Sequence, residues 1–220
     1  MSKLTRRDFV KLFGAGAAMG LFGPSALAMG KSAYHVVILG GGIGGSTAAK
    51  YIRIMNPEVK ITLIEQNRDY ITCPRSNDVV VGYHTLDEIT FNHDTIANKF
   101  GVNVIIDRIT GVDTDRKMVS VAGGDKVSYD RLVVSPGIDF RYEAIEGYSE
   151  QLAAGRFPHA WKAGPQTLEL KRQLQALPQG GTVLIAPPQN PFRCPPGPYE
   201  RTSLFAEWMQ KHNPTAKILI

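Results

Sequence analysis

The sequence predicts an α/β chain in which one strand–turn–helix–strand unit is followed by the start of another. Three observations carry this. An apolar run, Tyr34 to Leu39, leads directly into six residues of which five are glycine, Gly40 to Gly45. A second apolar run, Lys60 to Ile64, ends in an acid, Glu65. A third apolar run, Thr182 to Ala186, opens the same order of elements again, with a turn of quite different composition. Together they describe a Rossmann-like dinucleotide-binding domain, expected over residues 29–160, and the beginning of a second, nicotinamide-domain-like unit over 161–220.

The first thirty residues stand apart from that plan. Thr5-Arg6-Arg7 and Phe9-Val10-Lys11 precede a Gly/Ala-rich apolar stretch, and Ala26-Leu27-Ala28 supplies a small-x-small cleavage pattern. Gly14, Gly16, Gly20, Gly23 and Pro24 disfavour an ordinary first helix. The apolar run is too short and too interrupted to anchor in a bilayer, so no stable membrane insertion is expected. The string resembles a twin-arginine export signal. It implies cleavage near Ala28 and a periplasmic protein folded before export, its cofactor already installed.

The formal charge of +5 follows partly from this segment. Without Lys3, Arg6, Arg7, Lys11 and Asp8, 21 basic and 19 acidic residues leave a net +2. No basic stripe is interleaved with aromatics, and no nucleic-acid partner is expected. With 43% hydrophobic and 20% charged residues and no low-complexity tract, the chain reads as globular.

In the first unit, Gly40, Gly42 and Gly45 fit G-x-G-x-x-G, with Gly44 beside them. Gly40 allows a tight turn, Gly42 lets the backbone approach a pyrophosphate, and Gly45 lets the helix pack near the strand. A helix is predicted over Ser46 to Met55, ended by Asn56-Pro57. Its first amides face an anion. Glu65 lies twenty residues beyond Gly45, where an acid accepts hydrogen bonds from a ribose hydroxyl. That favours an adenosine with a free 2′-hydroxyl, in FAD or NAD, and the spacing does not choose between them.

Short strands are predicted at Val102 to Ile106 and Lys117 to Val121, with turns at Asp113-Thr-Asp115 and Gly123-Gly124. Lys126 to Gly137, an apolar strand ending in a small residue and Gly137, resembles the second sequence element of two-dinucleotide flavoproteins. The resemblance implies FAD.

Cys73 and Cys194 are the only cysteines. Cys73 follows Glu65 by eight residues, in Tyr70-Ile-Thr-Cys-Pro-Arg-Ser-Asn77. Cys194 sits in the second turn, Asn190-Pro-Phe-Arg-Cys-Pro-Pro-Gly-Pro-Tyr-Glu200. Both positions belong to the carboxyl ends of strands, where ligands bind in such folds. A bracing Cys73–Cys194 disulfide is open, since an oxidising compartment permits it. No metal site is expected: the cysteines lack ligand spacing, and His35, His84, His93, His159 and His212 are scattered. Prolines 187, 188, 191, 195, 196 and 198 take the place of a glycine loop. Proline offers no N–H to a phosphate, so this unit is not expected to bind NAD(P)H. The prolines stiffen the loop that holds Cys194.

Thr72-Cys73-Pro74 with Ser76-Asn77, the proline-framed turn, and His159-Ala-Trp-Lys-Ala-Gly164 with Gln166-Thr167 resemble the flavoprotein subunit of flavocytochrome c sulfide dehydrogenases. The resemblance runs from the signal to Ile220. It implies FAD bonded through Cys73 to its 8α-methyl carbon, a redox disulfide that includes Cys194, and Glu200 as a nearby acid or base. It also implies sulfide as substrate and a c-type cytochrome subunit as acceptor. The family's second disulfide cysteine lies in its C-terminal half. This chain ends at Lys217-Ile-Leu-Ile220 inside an expected strand, so a fragment or truncated product is expected. A sulfide:quinone oxidoreductase-like enzyme and an inactive flavin-binding module are the alternatives.

Overall fold

The computed structural model describes residues 34–220, and the expected export signal lies outside them. Strand β1 (His35–Leu39), helix α1 (Ile43–Met55) and strand β2 (Lys60–Glu65) form the first unit. A short hairpin of β3 (Asp69–Ile71) and β4 (Thr90–Asn92) encloses helix α2 (Ser76–Val81). Helix α3 (Asp94–Phe100) leads into β5 (Asn103–Ile106). Strands β6 (Ile109–Asp113), β7 (Met118–Val121) and β8 (Lys126–Ser128) make an antiparallel meander, and β9 (Arg131–Val134) returns beside β1. The main sheet is parallel, in the order β5-β2-β1-β9.

Alternation along β1 explains the layers. Val36 and Ile38 point to one face, with Ile61 and Leu63 of β2, Ala49 of α1 and Val102. Val37 and Leu39 point to the other, with Ile64 of β2 and Val119 and Val121 of β7. The sheet is thus covered by helices on one side and by the meander on the other, which is why its strands read as unbroken apolar runs. Burying one side chain such as Ile38, fully enclosed here, contributes about 1.5–3 kcal/mol.

After β9 the chain forms helices α4 (Glu150–Ala154) and α5 (Gln166–Gln175). Strand β10 (Thr182–Leu184), helix α6 (Gly197–His212) and strand β11 (Lys217–Leu219) form another parallel β-α-β arrangement. Its core joins Ile185 with Phe205 and Met209 of α6 and Leu174 of α5. Val80 and Val81 of α2 complete that core, so a helix from the first half packs into the second.

Two helices start earlier than the sequence predicts. Helix α1 begins at Ile43 instead of Ser46, because Gly42 is extended and serves as its cap. Helix α6 begins at Gly197 instead of near Tyr199, with a proline in its first turn, where a missing N–H leaves no helical bond unmade. Around the predicted Lys117–Val121 strand, β6 and β8 add two largely exposed partners that carry no apolar run to announce them.

A Cβ at Gly45 would stand 1.8 Å from the carbonyl oxygen of Gly40 and 3.3 Å from Ile38. Helix α1 therefore lies directly on the turn and on β1. Gly45→Ala should lower stability by about 3 kcal/mol in urea unfolding. Gly111→Ala, where a Cβ meets nothing within 4 Å, should stay within about 0.5 kcal/mol of the parent.

Candidate active site

Backbone contacts shape the glycine turn. Gly40 has φ +97°, and a Cβ there would lie 2.1 Å from the Ser135 carbonyl oxygen, at the end of β9. A Cβ at Gly44 would lie 2.5 Å from the Ser135 hydroxyl oxygen. A Cβ at Gly42 would lie 3.3 Å from the Tyr70 ring. Helix α1 has neither a capping side chain nor an acid in its first turn, so its first amides remain open to an anion. Gly137, with φ +80°, lies three residues past β9, and a Cβ there would meet nothing.

Glu65 closes the other side. Its Oε2 accepts the Gly41 N–H at 2.7 Å, and its Oε1 accepts the Asn67 N–H at 2.9 Å. The carboxylate thus stands at the mouth of the turn. These features fit a dinucleotide: a glycine cradle that a Cβ would fill, open helix amides, and an acid at the end of the second strand. His93, one of the five scattered histidines, is buried here. Its ring lies 3.1 Å from the Gly41 carbonyl oxygen and 3.1 Å from that of Arg68, tying the turn to the segment after β2.

Cys73 and Cys194 are both exposed and free, so the bracing disulfide is not formed. The two segments nonetheless meet at Trp161. The Cys73 thiol donates to the Trp161 carbonyl oxygen at 3.5 Å, and the Trp161 indole N–H donates to the Arg193 carbonyl oxygen at 2.6 Å. Arg193 immediately precedes Cys194. Cys194 itself has φ +55°, an uncommon conformation for a residue other than glycine. Its carbonyl accepts the Gly197 N–H at 2.9 Å, and its sulfur would be 3.4 Å from a Cβ at Gly197. The cysteine is therefore folded back on the start of α6.

Glu200 joins the same neighbourhood. Its Oε1 accepts from Asn77 Nδ2 at 2.8 Å, and Asn77 is four residues beyond Cys73. Arg201, only 6% exposed, donates from Nε to Asn77 Oδ1 at 3.2 Å and from Nη2 to the Ala160 carbonyl at 2.9 Å. Its guanidinium stands 5.5 Å from the centre of the Trp161 ring. Burial pushes the guanidinium pKa down, and the charges of Glu200 and Cys194 oppose that shift. Three distant segments thus converge: Cys73 to Asn77, Ala160 to Trp161, and Cys194 to Arg201. Among the described residues no cluster of side chains has a metal-ligand arrangement, and no helix is long and apolar enough to cross a membrane.

The pyridine nucleotide-disulphide oxidoreductase family matches residues 34–172, most of the described chain. The chain belongs to this family. The central region of the sulfide dehydrogenase (flavocytochrome c) flavoprotein chain matches residues 167–220. The sulfide-quinone reductase of Aquifex aeolicus is 31% identical over 147 residues, covering 66% of this chain and 32% of that protein. The sulfide dehydrogenase flavoprotein chain of Chlorobaculum thiosulfatiphilum is 48% identical over 45 residues, covering 20% of this chain and 94% of that sequence. The crystal structure of the Aquifex aeolicus sulfide:quinone oxidoreductase superposes with a TM-score of 0.69 at 26% identity, covering 84% of this chain and 42% of that one. The chain thus spans 32% of the sulfide-quinone reductase and 42% of the sulfide:quinone oxidoreductase structure. It is a Rossmann-fold oxidoreductase chain of the FAD/NAD(P)-binding type, related to sulfide-oxidising flavoproteins.

A cavity of about 900 Å³ adjoins this convergence, lined by Phe140, Tyr142, His159, Trp161, Phe192 and Arg201 among others. His159 stacks on Phe140 with ring centres 4.1 Å apart, and its Nδ1 is buried without a partner. Burial, then Lys162, lower its pKa from the ordinary value of 6.5, and Asp139 opposes them. His35 is lowered by burial and then by Lys60. The unfolded chain therefore takes up these protons first, and stability falls as pH drops below 6.5. The thermal midpoint should fall by a few degrees between about pH 7 and pH 5. His159→Phe should remove part of that fall and leave the share belonging to His35.

Proposed function

We propose that this protein oxidises sulfide at a flavin–cysteine centre. The observation that carries the reading is the meeting at Trp161: one residue holds both cysteine segments, while Asn77, from the Cys73 segment, holds Glu200. In this reading the Gly40–Gly45 turn and Glu65 bind the pyrophosphate and ribose of FAD, Gly137 lies near its ring, and Cys73 holds it through a thioether. Bound there, FAD supplies a two-electron acceptor that can be reoxidised.

The chain's own residues supply the rest. Cys194 is one sulfur of a redox disulfide. With Cys73 committed to the flavin, the partner sulfur comes from outside these 220 residues. Attack by hydrosulfide leaves a persulfide on one cysteine and a thiolate on the other. Glu200 holds or moves the proton of the entering hydrosulfide. The second turn does not bind NAD(P)H in this reading. Its prolines remove amides, and Glu200 puts a carboxylate in the first turn of α6, where a pyrophosphate would need open donors. Residues 1–28 direct export to the periplasm, and the boundary between the two units falls near residue 160.

The electron acceptor separates two readings. The longer relatives carry quinone in their names, which favours a quinone. The match over residues 167–220, which contains the proline-framed turn, favours a c-type cytochrome subunit. A full-length version supplied with sulfide should reduce one acceptor and not the other. A flavin-binding module without turnover would stay yellow under sulfide, so bleaching decides against it.

For the covalent bond, the purified protein is denatured in acid and its mass measured. FAD mass and yellow colour should stay on the chain, and Cys73→Ser should release both. Equal loss of flavin from parent and variant would overturn the thioether.

A further inference from the structure

Arg201 is a buried cation without a carboxylate partner among the described ion pairs. A guanidinium at such a place needs its donors satisfied. The two oxygens that accept from it are neutral and belong to different segments, Asn77 Oδ1 and the Ala160 carbonyl. The Asn77 bond has a consequence on its far side. A guanidinium has donors only, so the amide must turn its oxygen to Arg201. Its NH2 then faces away, and there it donates to Glu200 Oε1 at 2.8 Å. A flipped amide would present oxygen to the carboxylate. Arg201 thus selects the amide orientation that gives Glu200 a donor.

The second consequence runs through Trp161. The guanidinium stands over its ring, and Ala160, whose carbonyl it holds, is the preceding residue. Fixing that pair fixes the indole N–H that bonds beside Cys194 and the carbonyl that receives the Cys73 thiol. We propose that Arg201 is a positioning residue: by locking Asn77 and Trp161 in one orientation it sets where Glu200 and Cys194 stand relative to Cys73. The chemical use of that arrangement rests on the sulfide-oxidising reading, whereas the arrangement itself does not.

Two readouts test it. The first is NMR of the Asn77 side-chain amide in the 220-residue protein, assigned by its loss in Asn77→Asp. The resonances should shift in Glu200→Gln. In Arg201→Met they should shift as well, and their exchange with water should speed up roughly tenfold as the amide is freed. Arg201→Lys should recover the orientation only in part, because one ammonium lacks the planar fork. The second is anaerobic reduction of the flavin by sulfide, in a protein that also carries the second cysteine of the redox disulfide. Its limiting rate should fall about tenfold or more in Arg201→Met, with half-saturation by sulfide within about twofold of the parent, since orientation and not uniform binding is lost.

Should Arg201→Met not fold, Asn77→Asp with Glu200→Gln replaces it. That pair keeps an acceptor for Arg201 and a donor–acceptor contact with its polarity reversed. It should recover the thermal midpoint lost in Asn77→Asp alone but not the reduction rate. Asn77 signals unchanged in Arg201→Met, or thermal losses that simply add in the double variant, overturn the proposal. Failure of sulfide to reduce the parent's flavin overturns the functional reading instead, and the amide measurement still decides the role of Arg201.

Discussion

The close approach of the Gly40 carbonyl to Gly45 is the contact on which the remaining geometry hangs. It sets α1 directly against β1, so Val36 and Ile38 reach Ala49 on the helix side of the sheet. The same turn is held from its other flank by Ser135, which fixes where β9 ends. Glu65 and His93 then grip Gly41 through its N–H and its carbonyl. A short stretch of backbone is thus clamped from several directions, with its helix amides left free. That is what a phosphate-binding turn requires: rigid donors and no side chains in the way.

The second turn solves a different problem with the same topology. Both units are parallel β-α-β, yet the first turn of α1 holds no acid and that of α6 holds Glu200. Negative charge at a helix N-terminus is stabilised by the helix dipole, and here the protein supplies that charge itself. Prolines flanking Cys194 remove amide donors and narrow the loop's freedom, while the residue's left-handed backbone folds it back on Gly197. One turn is open to an anion from outside, and the other is furnished with a carboxylate and a sulfur. Identical architecture therefore does not imply identical ligands.

What could be read from the sequence follows from how local each signal is. Strands β1 and β2 were legible because both their faces are buried and they form unbroken apolar runs. The glycine turn and Glu65 were legible because their spacing is dictated by one short unit. The hairpin of β3 and β4 and helices α2 and α3 were not, since three to seven residues carry too little periodicity. Arg201 was missed for a different reason. Its partner Asn77 is 124 positions away, and an arginine on a helix reads as a solvated charge. A local signal did exist: Pro198, Arg201, Phe205 and Met209 are the buried positions of α6, spaced three, four and four residues apart. An arginine on the apolar stripe of a helix has to find donors' partners inside the protein, and so marks a buried polar junction.

Helix α2 explains why the two cysteine segments lie together. It starts two residues after Pro74, and its Val80 and Val81 are embedded among Leu174, Phe205 and Met209 of the second unit. The Cys73 segment is thus carried on an element whose packing belongs to the half that bears Cys194. Displacing α2 would move Asn77 against both Glu200 and Arg201, because all three are joined by hydrogen bonds at its first turn. Apolar packing at one end of a six-residue helix and a polar junction at the other make the separation of the two sulfurs a property of both cores, not of either loop. A loop cysteine on a free surface would wander; here the Cys73 thiol and the residue before Cys194 both bond Trp161.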